Sequence, residues 1–165
     1  MPGDAYITLL GRSVWALVNA YYAVLREKRL RPERVYIVTE DVYSGSASVA
    51  AEALRIISDG YGCAPEIVVQ TVPEADFVGA GRKIRSLAGD VIGEGHHVAI
   101  DITSGRKVMV AGALLALSLA RLDIRHIYYL AMRGVDDIAQ PYMMIPLQNQ
   151  RIHDVIEDAG VTPDV

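Results

Sequence analysis

A chain of 165 residues with 52% apolar and 22% charged side chains is long enough for one well-covered core, too short for two, and too apolar to be disordered. Its formal net charge of −4 excludes a broad basic field for non-specific DNA or RNA binding, so an anionic partner must be met by local cations. A single cysteine, Cys63, excludes an internal disulfide, and no basic segment precedes an apolar run at the N-terminus as a secretory leader would require.

Residues 5–10 (AYITLL) predict a first strand, broken by Gly11, Arg12 and Ser13. Val14, Leu17, Val18, Tyr21, Tyr22 and Leu25 then recur at helical spacing, predicting a helix over 13–28 with Ser13 as its N-cap. Trp15 and the tyrosines read as packing residues rather than a base-stacking platform. After Pro32, residues 35–39 (VYIVT) predict a second strand. Residues 40–45 form a loop, and Ser46 caps a helix lined by Ala50, Ala53, Leu54 and Ile57 that stops near 60–62. Pro65 opens a third strand over 66–72. Residues 73–76 then start a helix in which Phe77, Ala80, Ile84, Leu87, Ala88 and Val91 keep the period to about 92, with Arg82, Lys83 and Arg85 as a solvated stripe.

Residues 98–109 (VAIDITSGRKVM) carry the densest chemistry. A buried strand passes through Thr103, Ser104 and Gly105 into a helix start, and an uncharged run follows from 108 to 120. A membrane span needs about 20 apolar residues, so this run predicts a buried helix and no membrane partner. Arg106 and Lys107 fall in the first helical turn, where the helix dipole disfavours cations. A bound anion relieves that conflict, and backbone N–H groups, two hydroxyls and two cations at one point suit phosphate. The alternative is that both cations point into water or make structural ion pairs. The helix is apolar all round, which predicts cover on both sides, the second from another subunit. Residues 125–132 predict a fifth strand and 133–140 a polar loop. A sixth strand is expected over 142–147, with Pro146 placing it at a sheet edge, before one or two helical turns over 151–158 and a loose tail.

Alternating strands and helices predict an α/β fold: a Rossmann-like three-layer sandwich on a mainly parallel six-stranded sheet with an antiparallel edge strand. The domain spans 1–150, with a short C-terminal helix and tail over 151–165. With strand order 3-2-1-4-5 and the sixth at the edge, the turns after strands one and four meet at the switch point where such folds bind ligands. His96 and His97 point apart if extended, and His126 and His153 are isolated in sequence, so no metal and no cofactor is expected. The dinucleotide fingerprint, the P-loop and the G-x-S-x-G elbow are all absent, which disfavours a dehydrogenase, an NTPase or an α/β-hydrolase.

The stretch Asp101-Ile102-Thr103-Ser104-Gly105-Arg106-Lys107-Val108-Met109 resembles the D-x-T-x-G-R-K-x-M motif of CARF (CRISPR-associated Rossmann fold) domains, and Leu9-Leu10-Gly11-Arg12-Ser13 is similar to that family's loop after the first strand. The resemblance covers about residues 4–148. The missing leader predicts a cytoplasmic protein and the net charge no DNA partner, while the resemblance implies a homodimer that takes a cyclic oligoadenylate, most often the four-adenylate ring, across the subunit interface. It also implies that Arg106 and Lys107 contact phosphate or ribose, that Thr103, Ser104 and Gly105 shape the turn, and that Gly11, Arg12 and Ser13 close from the opposite loop. Few residues follow 147, so the chain resembles a standalone member. Some of these are ring nucleases, which cleave the messenger without a metal to end type III CRISPR signalling. Lys107 and Ser13 are then the expected catalytic residues. A non-catalytic sensor or sink, and an unrelated Rossmann-like dimerisation module, are the alternatives.

Overall fold

The computed structural model describes residues 2–134 and 139–160. Six strands form one sheet: β1 (Asp4–Leu10), β2 (Pro32–Glu40), β3 (Glu66–Val72), β4 (His97–Asp101), β5 (Ile124–Met132) and β6 (Gln150–Asp154). Their order is β3-β2-β1-β4-β5-β6, all neighbours parallel except the antiparallel β5–β6 pair. The expected fold class and strand order are thus observed, with β1 and β4 side by side and Thr8 opposite Asp101.

Strand alternation divides the sheet into two cores. Tyr6 and Leu10 of β1 point to one face, where α1 (Val14–Ala23) packs through Leu17, Ala20 and Tyr21 and α2 (Ser44–Gly60) through Ala47, Ala50 and Leu54. Ala5, Ile7 and Leu9 point to the other. There α3 (Phe77–Gly93) packs through Ala80, Ile84 and Ala88, and α4 (Lys107–Leu119) through Met109, Ala113 and Leu117. A π-type turn, Val24–Lys28, extends α1 to the expected end of that helix. No helix among the described residues is long and apolar enough to cross a membrane.

Helix starts differ from the expected ones in two places. Helix α2 begins at Ser44 straight out of a 3₁₀ turn, Asp41–Tyr43, so Ser46 lies inside the helix and no side chain caps it. Helix α3 begins only at Phe77, because Ala75 takes a left-handed φ of 59° and Asp76 becomes the N-cap, accepting from Gly79 N at 2.8 Å.

The sixth strand is a larger correction. Residues 142–147 are not extended: Pro141 and Pro146 each lead into a 3₁₀ turn, Tyr142–Met144 and Leu147–Asn149. Strand β6 is Gln150–Asp154, where helical turns were expected, and α5 (Val155–Asp158) is a single turn capped by Asp154. In β6 the inward positions are Gln150, Ile152 and Asp154. Two of the three are polar, so the strand carries no apolar signature. Gln150 is accepted because its Nε2 donates to Tyr142 O at 2.9 Å and Ile145 O at 3.2 Å, which anchors the turn to the strand. Parts of the expected polar loop and tail, residues 135–138 and 161–165, lie outside the described residues.

Candidate functional site

The β1–α1 and β4–α4 turns meet at the carboxyl ends of their strands and are fastened together by Ser104. Its hydroxyl donates to Ser13 O at 2.8 Å and accepts from Gly11 N at 3.3 Å. Both glycines are needed for this approach: a Cβ on Gly11 would stand 2.4 Å from Ser104 O, and one on Gly105 would stand 2.9 Å from Leu9 Cβ.

Beneath the turns, Asp101 is fully buried and organises the floor. Thr8 Oγ1 donates to Asp101 Oδ2 at 2.8 Å; Thr103 N and Thr103 Oγ1 donate to Oδ1 at 3.0 and 2.5 Å. Thr103 Oγ1 in turn accepts from Leu130 N at 2.9 Å, tying the β4–α4 turn to β5. Burial pushes the Asp101 carboxyl up to about 6, against the downward pull of these hydrogen bonds. Burial beside that carboxylate also raises the Tyr6 phenol well above its usual range. Asp101 is therefore a scaffold group, closed off from any ligand.

The cations divide into two kinds. Arg12 and Lys107 are exposed and make no ion pair among the described residues. Arg106 is the N-cap of α4, and its Nη1 donates to Glu40 Oε2 at 2.8 Å. Glu40, at the end of β2, is only 3% exposed, and its other oxygen accepts from Ala75 N at 3.0 Å. Burial works against the Glu40 charge, but the Arg106 guanidinium and the Ala75 N–H hold its carboxyl below the usual carboxylate range. Arg106 thus makes the structural ion pair that the sequence left as an alternative, while its side chain remains 32% exposed to the crevice.

Glu40 is the site residue that sequence reading missed. Its position in the sequence reads as the first residue of a loop, and its one signal is an acid directly ending an apolar strand.

Of the expected site residues, Thr103 and Ser104 have their hydroxyls engaged within the fold. Ser13 Oγ accepts from Ala16 N at 3.1 Å, which leaves its proton available. No side chain caps α4, so its first-turn N–H groups open toward the crevice beside Lys107. The free donors at this corner are thus Arg12, Lys107, the Ser13 hydroxyl and the start of α4, a set suited to phosphate oxygens.

The outer side of α4 is not covered by the described residues. With α3 it forms an apolar groove of about 450 Å³ whose lining includes Phe77, Val78, Gly81, Val108, Leu115 and Leu119. Leu115 is 61% and Leu119 74% exposed. The groove starts at the N-terminal ends of α3 and α4, next to the crevice.

His126 is not isolated, as its sequence position suggested. Its Nδ1 lies 2.6 Å from Asp154 Oδ2, and His126, Asp154 and Glu157 bring ligand atoms within 4.8 Å of one another. Asp154 is already committed, since Oδ1 accepts from Ile127 N at 3.3 Å and Ile156 N at 3.1 Å. The cluster ties β6 and α5 to β5, at the amino ends of the parallel strands and away from the crevice.

No protein-family model and no curated protein matches the sequence. Solved structures do. A type III CRISPR defence DNA nuclease activated by cyclic oligoadenylate matches 80% of this chain and 19% of its own, at 21% identity and a TM-score of 0.56. Csm6 of Enterococcus italicus, bound to cyclic hexa-2′-fluoro-hexa-dAMP, matches 96% of this chain and 43% of its own, at 15% identity and a TM-score of 0.62. The chain spans under half the length of either, and what it shares with both is the fold.

Proposed function

We propose that the chain is a CARF-type domain that binds cyclic oligoadenylate, the four-adenylate ring, across a homodimer, and cleaves it as a metal-independent ring nuclease. The observation that carries this is the convergence of Arg12, Ser13, Lys107 and the uncapped start of α4 at the β1/β4 switch point. Two solved structures of the same fold, each named for a cyclic oligoadenylate or an analogue of one, support the choice of ligand. A two-fold arrangement through the α3–α4 groove sets two such corners side by side, as a ring of repeating phosphates requires.

Cleavage needs no added nucleophile. A ribose 2′-hydroxyl attacks its own 3′-phosphodiester in line, the bond from phosphorus to the next 5′-oxygen breaks, and a 2′,3′-cyclic phosphate forms. The 2′-proton passes to water and the leaving 5′-oxygen takes one up. The protein's part is alignment and charge stabilisation. Lys107 faces the charge growing on the phosphoryl oxygens, while Ser13 donates its free proton to the same group and Arg12 and Arg106 hold neighbouring phosphates. Neither nearby acid serves as a general base: Asp101 is sealed, and Glu40 is buried with both oxygens engaged by Arg106 and Ala75, which lower its pKa and leave it a weak base. The reaction is therefore slow. The same lack of a base favours, as second reading, a sensor or sink that holds the ring intact.

Incubation with a panel of cyclic oligoadenylates in EDTA, with products resolved by chromatography, tests both. Linear products ending in 2′,3′-cyclic phosphate are expected. Bound but intact rings would replace the nuclease by the sensor or sink, and no binding to any ring would leave a dimerisation module.

A further inference from the structure

Trp15 is the one tryptophan in the chain, and it belongs to neither core. It stays 40% exposed, the only large apolar side chain of α1 to do so. The expectation that it packs into the core is therefore not met, and the structure shows why. Residues 15, 19 and 22 share one face of α1. Asn19 uses that face to donate from Nδ2 to Gln140 O at 2.8 Å and to accept from Tyr142 N at 2.9 Å, and Tyr22 lies against Tyr142 with ring centroids 5.0 Å apart. Trp15 stands one turn nearer the carboxyl ends of the strands, past the end of this packing.

The backbone that carries the indole is held on two sides. Trp15 is the second residue of α1, whose start is held by the Ser13 cap and by the Ser104 bonds to Gly11 and Ser13. Those bonds also set the crevice corner that presents Arg12 and Lys107. An exposed aromatic residue three positions after Arg12, on the first turn of the helix that leaves the crevice, is a combination that fits a nucleotide: cations for the phosphate, a π surface for the base.

We propose that Trp15 is the base-stacking residue of the crevice, taking the face of an adenine whose phosphate is held by Arg12 and Lys107. The proposal rests on the reading of the crevice as a cyclic oligoadenylate site. Stacking adds affinity without adding charge, so it is separable from the phosphate contacts by its salt dependence.

Because the chain has one tryptophan, its emission reports on this position alone. Cyclic tetra-adenylate is expected to alter the emission and to shield the indole from acrylamide. By calorimetry Trp15→Ala should lower affinity roughly tenfold to a hundredfold, the range for losing one stacking aromatic. Trp15→Phe should recover most of it. The salt slope should stay at the wild-type value in Trp15→Ala and become shallower in Lys107→Ala. More than half of the indole is covered, so Trp15→Ala should lower the thermal midpoint modestly while circular dichroism at the temperature of the binding assay stays that of the wild type. If the ring binds by calorimetry while emission and acrylamide access do not move, or if Trp15→Ala binds normally, the stacking role falls and the crevice assignment stands. If no cyclic oligoadenylate binds the wild type by calorimetry, the crevice assignment falls and the stacking role with it.

Discussion

Asp101 and Glu40 both end parallel strands, yet their surroundings move them in opposite directions. Burial leaves Asp101 with a carboxyl at about 6, above the unfolded value of about 3.9. A raised folded value means that the stabilising contribution is complete below the unfolded pKa and is lost as pH rises through about 6. Glu40 is lowered, so its contribution is present above the unfolded value and lost as pH falls. Comparing a variant with wild type isolates one group. Asp101→Asn cannot titrate, so its stability relative to wild type should rise between pH 4 and 7, by up to about 3 kcal/mol at about 1.4 kcal/mol per unit. Urea unfolding at several pH values checks this; a constant difference would contradict it. Lys107 is exposed and makes no ion pair within the described fold. Lys107→Ala should therefore leave stability unchanged and slow single-turnover ring cleavage on the order of 10²-fold, the loss associated with one electrostatic donor. Affinity should fall less, since Arg12, Arg106 and the helix start remain, and Lys107→Arg should restore binding better than cleavage. Equal losses in both would reduce Lys107 to an anchor.

Helices α3 and α4 show how one residue type answers to its environment. A Cβ on Gly112 would lie 2.7 Å from Phe77 O, and one on Gly81 would lie 2.7 Å from Gly112 O. These glycines let two backbones touch and set the floor of the apolar groove. Gly89, in the same helix as Gly81, has open space where a Cβ would go. Alanine gains on the order of 1 kcal/mol over glycine in a helix interior, whereas pushing two backbones apart costs about 1–3 kcal/mol. Gly89→Ala should therefore raise the thermal midpoint, and Gly112→Ala should lower it. Opposite signs in thermal unfolding are the test; two gains would mean that the helices separate freely.

The described residues leave an apolar face uncovered along α3 and α4. Contiguous patches of this kind mark association sites in soluble proteins. This one begins beside the crevice, so the proposed dimer would bring the two crevices together. Leu115 is well exposed in the single chain, so Leu115→Glu should spare the fold and yield a monomer in sedimentation at micromolar concentration. Ring cleavage should be lost with the dimer. A wild-type protein that is monomeric under these conditions would overturn the arrangement. Affinity for the ring should also fall as salt is raised, because phosphate contacts are screened and release counterions.

Local pattern carried much of the architecture. The apolar run over 5–10 and helical spacing in 14–25 and 77–91 mark which side chains must leave water, and any apolar neighbour meets that requirement. The strand order 3-2-1-4-5 was a condition attached to the doubly wound class rather than a pattern in the residues, and it is the order observed. The corner formed by Gly11–Ser13 and Ser104–Lys107 was legible for this reason: it needs only the order of strands. What escaped were positions where a polar group is buried. Gln150 and Asp154 face inward in β6 because Tyr142, Ile145, His126 and Ile127 supply partners. Glu40 is buried because Arg106 and Ala75 reach it from two other elements, and Asp101 because Thr8 does so across 93 residues of chain. Trp15 is exposed because the packing on its face of α1 ends one turn too soon. Apolar burial is announced by periodicity along the chain, but burying a charge or an amide depends on partners distant in sequence, and only the folded chain brings those together.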